Sequence, residues 1–302
     1  MRAATWTNIG TDVKGCKNIE NILVASNLNY EVVKKPIFTA EGFEIPDKIM
    51  TAKKETGEYI GILSPKYKPY QNTEAFKFIE NIDDIEFVRA GETHKGMVYI
   101  IGKLPSVNVL HDEFAPYVIF QTSHNGLYPL KATICPLRIV CQNQFAMSFR
   151  NMNNSVTVRH SSQLESRIAQ AHKLIADTAT YMNGFANTAE ELAALKIGGN
   201  QGAYRIIDAF FEATKQKIAD EEESKRAQTS IKKQKEEFIR CYHADDNKEF
   251  EGTAWGLLNG FTDFTTHIIT KKTAHANESK FEKATLDTTK ITKLIECIKE
   301  TV

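Results

Sequence analysis

The chain has 302 residues, of which 42% are hydrophobic and 25% are charged, so it can bury a core and does not have the composition of a disordered protein. Its 38 Lys and Arg residues balance its 38 Asp and Glu residues, which excludes a bulk basic excess that would draw it to nucleic acid. No run of 18 apolar residues is present, and residues 1–10 lack the apolar segment of a signal peptide, so the sequence predicts a cytoplasmic protein without a membrane partner.

The first predicted elements are a short helix and a hairpin. Residues Ile19–Ser26 have the spacing of a helix. The segments Lys48–Lys54 and Tyr59–Leu63 flank a turn with a glycine, which predicts a β-hairpin. Asn72 is expected to cap a second helix, because apolar residues at helical spacing follow it.

Four strands and a helix are predicted next. The strands are Ile85–Arg89, Met97–Leu104, Tyr117–Thr122 and Tyr128–Cys135. Asn125 and Gly126, which lie between the last two strands, are a strong hairpin signal because both residues tolerate a positive φ. Apolar residues at helical spacing after Pro136 predict a helix over Arg138–Arg150.

The composition changes near Asn151, and the remaining chain is predicted to be mainly helical. Residues 163–182, 255–268 and 281–299 have helical periodicity, and residues 203–242 are highly charged. The predicted class is therefore α+β, with an antiparallel β-rich domain that has flanking helices and precedes a helical half. We divide the chain into an N-terminal extension (1–45), a β-rich α+β core (46–150) and a helical domain (151–302).

An acid-free window runs from Phe114 to Leu164, where 51 residues include no Asp or Glu. A buried β-rich core gives such a window, since burying a carboxylate is costly. The arginines of the window and its Asn- and Gln-rich stretches fit a core badly and favour a local anion-binding surface instead. The sequence leaves both interpretations open.

Basic and aromatic residues alternate in and before this window, as single-strand nucleic-acid binding requires, because cations hold phosphates and aromatic rings stack on bases. Ordinary loop packing remains the alternative for the aromatic residues, and a surface or capping role for the histidine at 160. The candidate nucleic-acid-binding residues are Lys53, Lys66, Tyr67, Lys68, His124, Tyr128, Lys131, Arg138, Arg150, Arg159 and His160.

The sequence contains no nucleotide-binding glycine loop, no H-E-x-x-H and no G-x-S-x-G motif, so it predicts no catalytic residue and no cofactor. Cys241 and His243 lie close to Asp245 and Asp246, but structural cysteine is the favoured interpretation, and no metal site is predicted. The five cysteines are scattered without a C-x-x-C pair and are expected to be reduced thiols. Carboxylates from distant strands that converge on Mg²⁺ remain a hidden alternative.

Four segments follow one another in the order GEYIGILSPKYKPYQNTEAFKFIE (57–80), YVIFQTSHNGLYPLKATICPLRIVCQNQFAMSFR (117–150), VRHSSQLESRIAQA (158–171) and GTAWGLLNGFTDFTTH (252–267). Together they resemble the phage/plasmid-like protein family of unknown function. The sequence departs from the family's pattern at Gln144, where Thr is usual, and at Phe264, where Tyr is frequent. The resemblance implies a protein carried by phages or plasmids and supplies no catalytic residues. The predicted order of helix, strands and helix also looks like the β-β-β-α core of RecT-type single-strand annealing proteins.

Three functions are therefore expected in decreasing order. The first is a single-stranded DNA-binding protein, with strand annealing as a candidate activity, that acts in recombination as a homo-oligomer in the cytoplasm of the host cell. The second is an anti-defence protein that binds and inhibits a host enzyme. The third is a metal-dependent nuclease.

Overall fold

The structure, a computed structural model, describes residues 5–147, 154–158, 177–213, 221–268 and 275–302. It confirms the α+β class, with antiparallel sheets in the N-terminal half and helices in the C-terminal half. The strands are β1 (Thr11–Asp12), β2 (Val32–Phe38), β3 (Glu44–Lys53), β4 (Tyr59–Leu63), β5 (Glu86–Glu92), β6 (Met97–Lys103), β7 (Val107–Val109), β8 (Asp112–Ser123), β9 (Leu130–Arg138), β10 (Asn143–Gln144) and β11 (Ser155–Val158). The helices are α1 (Ile19–Ala25), α2 (Asn72–Phe76), α3 (Thr178–Ala194), α4 (Gly199–Ala213), α5 (Glu221–Tyr242), α6 (Ala254–Asp263), α7 (Ala276–Phe281) and α8 (Thr289–Thr301). Within the described ranges, none of them combines the length and apolarity that crossing a bilayer requires.

The large sheet has the order β1-β5-β6-β8-β9-β10, with β7 paired to β8 and β11 paired to β9. Its central strands are buried on both faces, which explains their nearly continuous apolar sequences. Val98 and Phe120 face the main core, which the helices share, whereas Tyr99 and Ile119 face a second cluster formed with the N-terminal residue Trp6 and with α7. Helical and N-terminal segments must therefore cover both faces of one sheet.

An aromatic cluster joins the sheet to the helical half. Phe114 on β8 and Phe145 after β10 lie 5.0 and 5.6 Å, between ring centroids, from Phe185 of α3. Trp255 of α6 stacks on Phe145 at 5.6 Å with an interplanar angle of 18°. One continuous apolar core consequently contains residues from both sides of the boundary predicted at residue 150.

The small sheet β2-β3-β4 packs on the turn between β8 and β9. The hydroxyl of Thr51 on β3 donates a hydrogen bond of 2.8 Å to the carbonyl oxygen of His124. Gly61 on β4 faces the same turn, where a Cβ atom would lie 2.8 Å from the Cα of Asn125. Only glycine permits this approach, which fixes β4 against the hairpin turn.

Most elements predicted for residues 19–135 are confirmed, but two expectations about helices are wrong. The second helix begins after Gln71, which caps it through a capping box, and not after Asn72. The helix predicted over Arg138–Arg150 is absent from residues 138–147, where β9 continues to Arg138 and β10 pairs back on it. Residues 148–150 and part of the helix predicted for 163–182 lie outside the described ranges.

Pro136 explains the second error, because it lies within β9 and does not end it. It is the cross-strand partner of Pro116 on β8, and the carbonyl oxygens of the two prolines accept hydrogen bonds from the N–H groups of Phe145 and Leu104. At this pair the strand continues without the N–H that proline lacks. The apolar residues after Pro136 have the spacing of a helix, but the same spacing is compatible with the end of a strand and a turn.

We predict that Phe185→Ala lowers the free energy of unfolding by about 3–5 kcal/mol, because it removes a fully buried ring from the aromatic cluster. Equilibrium unfolding in urea measures this change. Val24→Ala on α1 is the control, since Val24 is 60% exposed and its loss should change stability by about 0.5 kcal/mol or less. Equal losses for the two variants would contradict a core centred on this cluster.

Candidate functional site

A solvent-open cleft of about 730 Å³ lies between the small sheet, the β5–β6 turn, the β8–β9 turn and the start of α7. Its volume falls within the range of small-molecule and cofactor sites, roughly 300–1,000 Å³. The polar and charged residues that line it are Lys53, Glu58, Tyr59, Glu92, Thr93, His94, Lys95, Asn125, His275 and Glu278.

One wall of the cleft carries a cluster of two histidines and a carboxylate. His94 belongs to the β5–β6 turn, His275 precedes α7, and Glu278 lies in the first turn of α7. The imidazole rings of His94 and His275 stack with centroids 3.9 Å apart at an interplanar angle of 10°. The Nδ1 of His94 hydrogen-bonds the Oε2 of Glu278, and the Nδ1 of His275 lies 3.8 Å from its Oε1. One potential ligand atom from each of the three side chains lies within 4.8 Å of the others.

A pair of neighbouring contacts holds the β5–β6 turn against α7. The backbone N–H of His94 donates to the Oε2 of Glu278 at 2.7 Å. The next residue, Lys95, forms an ion pair of 2.8 Å with Glu282, which follows one helical turn after Glu278. Glu282 also accepts a hydrogen bond of 3.2 Å from the hydroxyl of Tyr128. Two consecutive turn residues thus bind two carboxylates on one side of the helix.

The charges of the cleft favour a cation over an anion. The Nζ of Lys53 is paired with Glu58 at 3.0 Å and lies 3.9 Å from Glu92. Burial raises the pKa of Glu92, although Lys53 and the hydrogen bond from Tyr30 act in the opposite direction. Burial also raises the pKa of Glu278, but the hydrogen bonds from His94 outweigh it, so the net pKa is lowered. Glu278 is therefore ionised at neutral pH.

Arg138, a predicted phosphate contact, lies in the core with an exposed fraction of 1%. Its guanidinium group forms an ion pair of 2.7 Å with Asp112 and one of 3.4 Å with Asp246, and it also donates to the backbone oxygen of Asp246 at 2.9 Å. Because burying an unpaired charge is costly, these carboxylates are its structural partners. A role for Arg138 in an exposed anion-binding surface, as the acid-free window favoured, is not compatible with this burial.

The histidine and tyrosine side chains predicted to contact nucleic acid form hydrogen bonds within the protein instead. His124 is 1% exposed and its Nε2 lies 2.8 Å from the Oδ1 of Asn72. Tyr67 donates to the carbonyl oxygen of Ser123 at 3.2 Å, and burial raises the pKa of Tyr67 to about 12. Burial likewise raises the pKa of Tyr128, together with the neighbouring Glu282, to about 12. The structure brings these three residues together around residues 123–128 as supports of the β8–β9 turn.

The remaining candidates lie in different environments. Lys66 and Lys68 are exposed in the loop after β4, and within the described ranges no carboxylate lies within 4.0 Å of either ammonium group. Lys131 on β9 is half-buried, and burial lowers its pKa. Arg150, Arg159 and His160 lie outside the described residues. For residues 114–147, nearly all of them buried or half-buried, the core interpretation of the acid-free window is the better one.

The small sheet has a second, solvent-facing surface that we call the outer face. Lys35, Met50 and Ile62 are direct cross-strand neighbours on β2, β3 and β4 and therefore point to the same side. Ile62 is 55% exposed, and Tyr59 at the start of β4 is 58% exposed. Tyr59 also lines the cleft, so the outer face and the cleft meet at this residue.

Sequence reasoning missed the histidine cluster. His94 and Glu278 are 184 residues apart in the sequence, and no local motif predicts their contact. The one available signal was His275-x-x-Glu278 at the start of a helix, a spacing that places both side chains on one side. Including His94 would have required knowing that the β5–β6 turn packs against the helical half.

One family model, described as a domain of unknown function (DUF932), matches residues 59–286, which include β4, the β5–β6 turn and α7. The searches of curated proteins and of solved structures gave no significant match.

We predict that Arg138→Met lowers the free energy of unfolding by about 3–5 kcal/mol, because it removes a buried guanidinium group and leaves the half-buried carboxylate of Asp112 without its partner. Chemical denaturation measures the loss. Arg240→Met is the matched control, since the pair between Arg240 and Glu237 is exposed and should contribute about 1 kcal/mol or less. Unchanged stability for Arg138→Met together with lost DNA binding would instead place Arg138 in a binding surface.

Proposed function

We propose that this chain, which belongs to the DUF932 family of domains of unknown function, binds single-stranded DNA on the outer face of its small sheet. The observation that carries the proposal is the exposed aromatic ring of Tyr59 on the same sheet as Ile62 and the ammonium group of Lys35. A sheet that presents aromatic and cationic side chains can stack bases and hold the phosphates between them.

The outer face replaces the acid-free window as the binding surface. Arg138 and His124 are buried and bonded within the core, so neither is free to contact a phosphate. Lys35 and Lys48, in contrast, have no carboxylate within 4.0 Å among the described residues. Their charges therefore remain available to an anionic ligand.

Lys66 and Lys68 extend the available charge beyond the sheet. Both are exposed in the loop that follows β4, which is the strand that carries Tyr59 and Ile62. A DNA strand that stacks on Tyr59 and continues along this loop would meet these two ammonium groups. The number of unpaired cations here is small, so we expect binding through about two to four phosphate contacts, with a correspondingly modest dependence on salt.

The resemblance to proteins of phages and plasmids favours DNA as the nucleic acid and recombination as the process. Stacking on one open face leaves the hydrogen-bonding edges of the bases accessible, which is what strand annealing requires. Annealing also brings two DNA strands together, and a homo-oligomer would align several outer faces along them. Strand annealing and homo-oligomer formation are therefore part of the same proposed function.

Fluorescence anisotropy with a labelled single-stranded thymidine oligonucleotide tests DNA binding. We predict that Tyr59→Ala weakens binding about 5- to 150-fold, the effect of losing about 1–3 kcal/mol of stacking. Lys35→Ala should weaken binding and reduce the slope of log affinity against log salt by about 0.7, as expected for one lost phosphate contact.

Tyr204→Ala and Lys232→Ala are the matched controls, because both residues are exposed on the helical half and far in sequence from the small sheet. Neither control should change the affinity. No binding by the wild-type protein, binding that does not depend on salt, or equal losses in the control variants would contradict the proposal.

A protein partner is the second candidate, and the far end of the β2–β3 hairpin favours it. β4 pairs with β3 only between Ile49 and Ala52, so the hairpin continues beyond the sheet as two strands. At its end Phe38 and Phe43 are 54% and 72% exposed. Exposed apolar side chains at the end of a projecting hairpin are typical of protein contacts, here with the host enzyme expected for an anti-defence protein.

We predict that a Phe38→Ser/Phe43→Ser double variant keeps its stability and DNA affinity but loses the host protein that the wild-type chain retains stoichiometrically. Affinity capture from host lysate with both proteins, followed by reconstitution with the purified partner, measures this difference. Equal retention by the wild-type and double-variant proteins would exclude the hairpin end as the contact.

A further inference from the structure

The cluster of His94, His275 and Glu278 is the feature that DNA binding on the outer face does not explain. Its members come from the β5–β6 turn and from the start of α7, and 184 residues separate the first from the last. The fold brings one imidazole nitrogen from each histidine and one carboxylate oxygen within 4.8 Å of one another. All three atoms lie at the wall of an open cleft.

This donor set is one that transition metals use. Two imidazole nitrogens and one carboxylate oxygen ligate Zn²⁺ in catalytic sites, with bonds of about 2.0–2.2 Å. Tetrahedral bonds of that length place neighbouring ligand atoms about 3.3 Å apart. The atoms of the cluster need to move by an ångström or so to reach this geometry, and the side chain of His275, which is 50% exposed, has room to rotate.

We propose that His94, His275 and Glu278 bind a divalent transition-metal ion, Zn²⁺ being the best match to the donors, with its remaining coordination positions open to the cleft. The imidazole donors disfavour Mg²⁺ and Ca²⁺, which prefer oxygen ligands. The proposal rests on the geometry of the cluster and not on DNA binding.

Contacts around the cluster position its ligands. The backbone N–H of His94 donates to Glu278 and thereby orients the carboxylate. The ion pair between Lys95 and Glu282 fixes the β5–β6 turn at the correct height along α7. Such supporting contacts are typical of metal sites, where they hold the ligands in place before the ion binds.

The open positions define the ligand that the metal would take. Three protein ligands leave at least one position for a water molecule or an anionic oxygen, as in catalytic zinc sites. The cleft carries Glu58, Glu92 and Glu278 against two lysines that are both paired, so without a metal it repels anions. A bound dication reverses this balance and provides a position for a phosphate oxygen beside Tyr59, where the cleft meets the outer face.

Isothermal titration of the chelator-treated, tag-free full chain with ZnCl₂ tests the site. We predict one equivalent of Zn²⁺ per chain and a loss of affinity of about 10-fold or more in each of His94→Ala, His275→Ala and Glu278→Gln. His243→Ala is the matched control, because His243 is also paired with a glutamate, Glu251, at 2.9 Å but forms no such cluster with a second histidine among the described residues. It should bind Zn²⁺ as the wild-type chain does.

Thermal unfolding separates a lost ligand from a lost fold. Zn²⁺ should raise the Tm of the wild-type and His243→Ala proteins and leave that of the folded cluster variants unchanged. If a variant does not fold, the NMR spectrum of the Co²⁺ complex of the wild-type chain tests ligation by two histidines. Two paramagnetically shifted histidine ring signals are expected in this spectrum. Absence of Zn²⁺ binding, unaltered binding in the cluster variants, or fewer than two such signals would overturn the proposal.

Discussion

The burial of both faces of β6, β8 and β9 is the constraint on which the rest of the structure depends. A sheet whose central strands are apolar on both sides needs a cover on each side. Helices α3 and α6 supply one cover through the cluster around Trp255. The N-terminal segment and α7 supply the other through Trp6 and Phe281. The position of α7 follows from this requirement, and with it the contact between α7 and the β5–β6 turn.

The cleft is a consequence of that contact. Phe281, at the end of α7, is buried against Tyr99 of β6, with ring centroids 5.3 Å apart. This anchor places the start of the helix, with His275 and Glu278, beside the turn that carries His94. The small sheet closes the opposite side because Gly61 allows β4 to approach Asn125. Hydrophobic packing therefore determines where the polar residues of the candidate site meet.

Two groups of cationic residues differ in their electrostatic surroundings. Arg138 is bound by Asp112 and Asp246 inside the protein, and Lys53 and Lys95 are paired at the cleft. Lys35, Lys48, Lys66 and Lys68 lie on or near the small sheet without such partners among the described residues. A balanced net charge thus conceals a local distinction, in which the small sheet can meet an anion and the cleft can hold a cation.

The elements that local sequence determines were predictable, and those that depend on distant contacts were not. The hairpin turn at Asn125 and Gly126 was identified from residue type, and the strands on either side of it were identified from their apolar runs. Arg138 was misjudged because its partners Asp112 and Asp246 are supplied by other elements, and burial cannot be read from an arginine alone. The helix predicted after Pro136 was wrong for a related reason, since the place of Pro136 within β9 depends on Pro116 opposite it. The histidine cluster required the packing of α7, which no local pattern specifies.

Photocrosslinking of single-stranded DNA that carries 5-iodouracil, followed by mass spectrometry of the linked peptides, tests the central claim most directly. The account predicts that the main crosslink joins the DNA to Tyr59 on β4 and that excess unlabelled single-stranded DNA suppresses it. Crosslinks confined to the helical half, or none at all under conditions of binding, would contradict a DNA-binding surface on the small sheet.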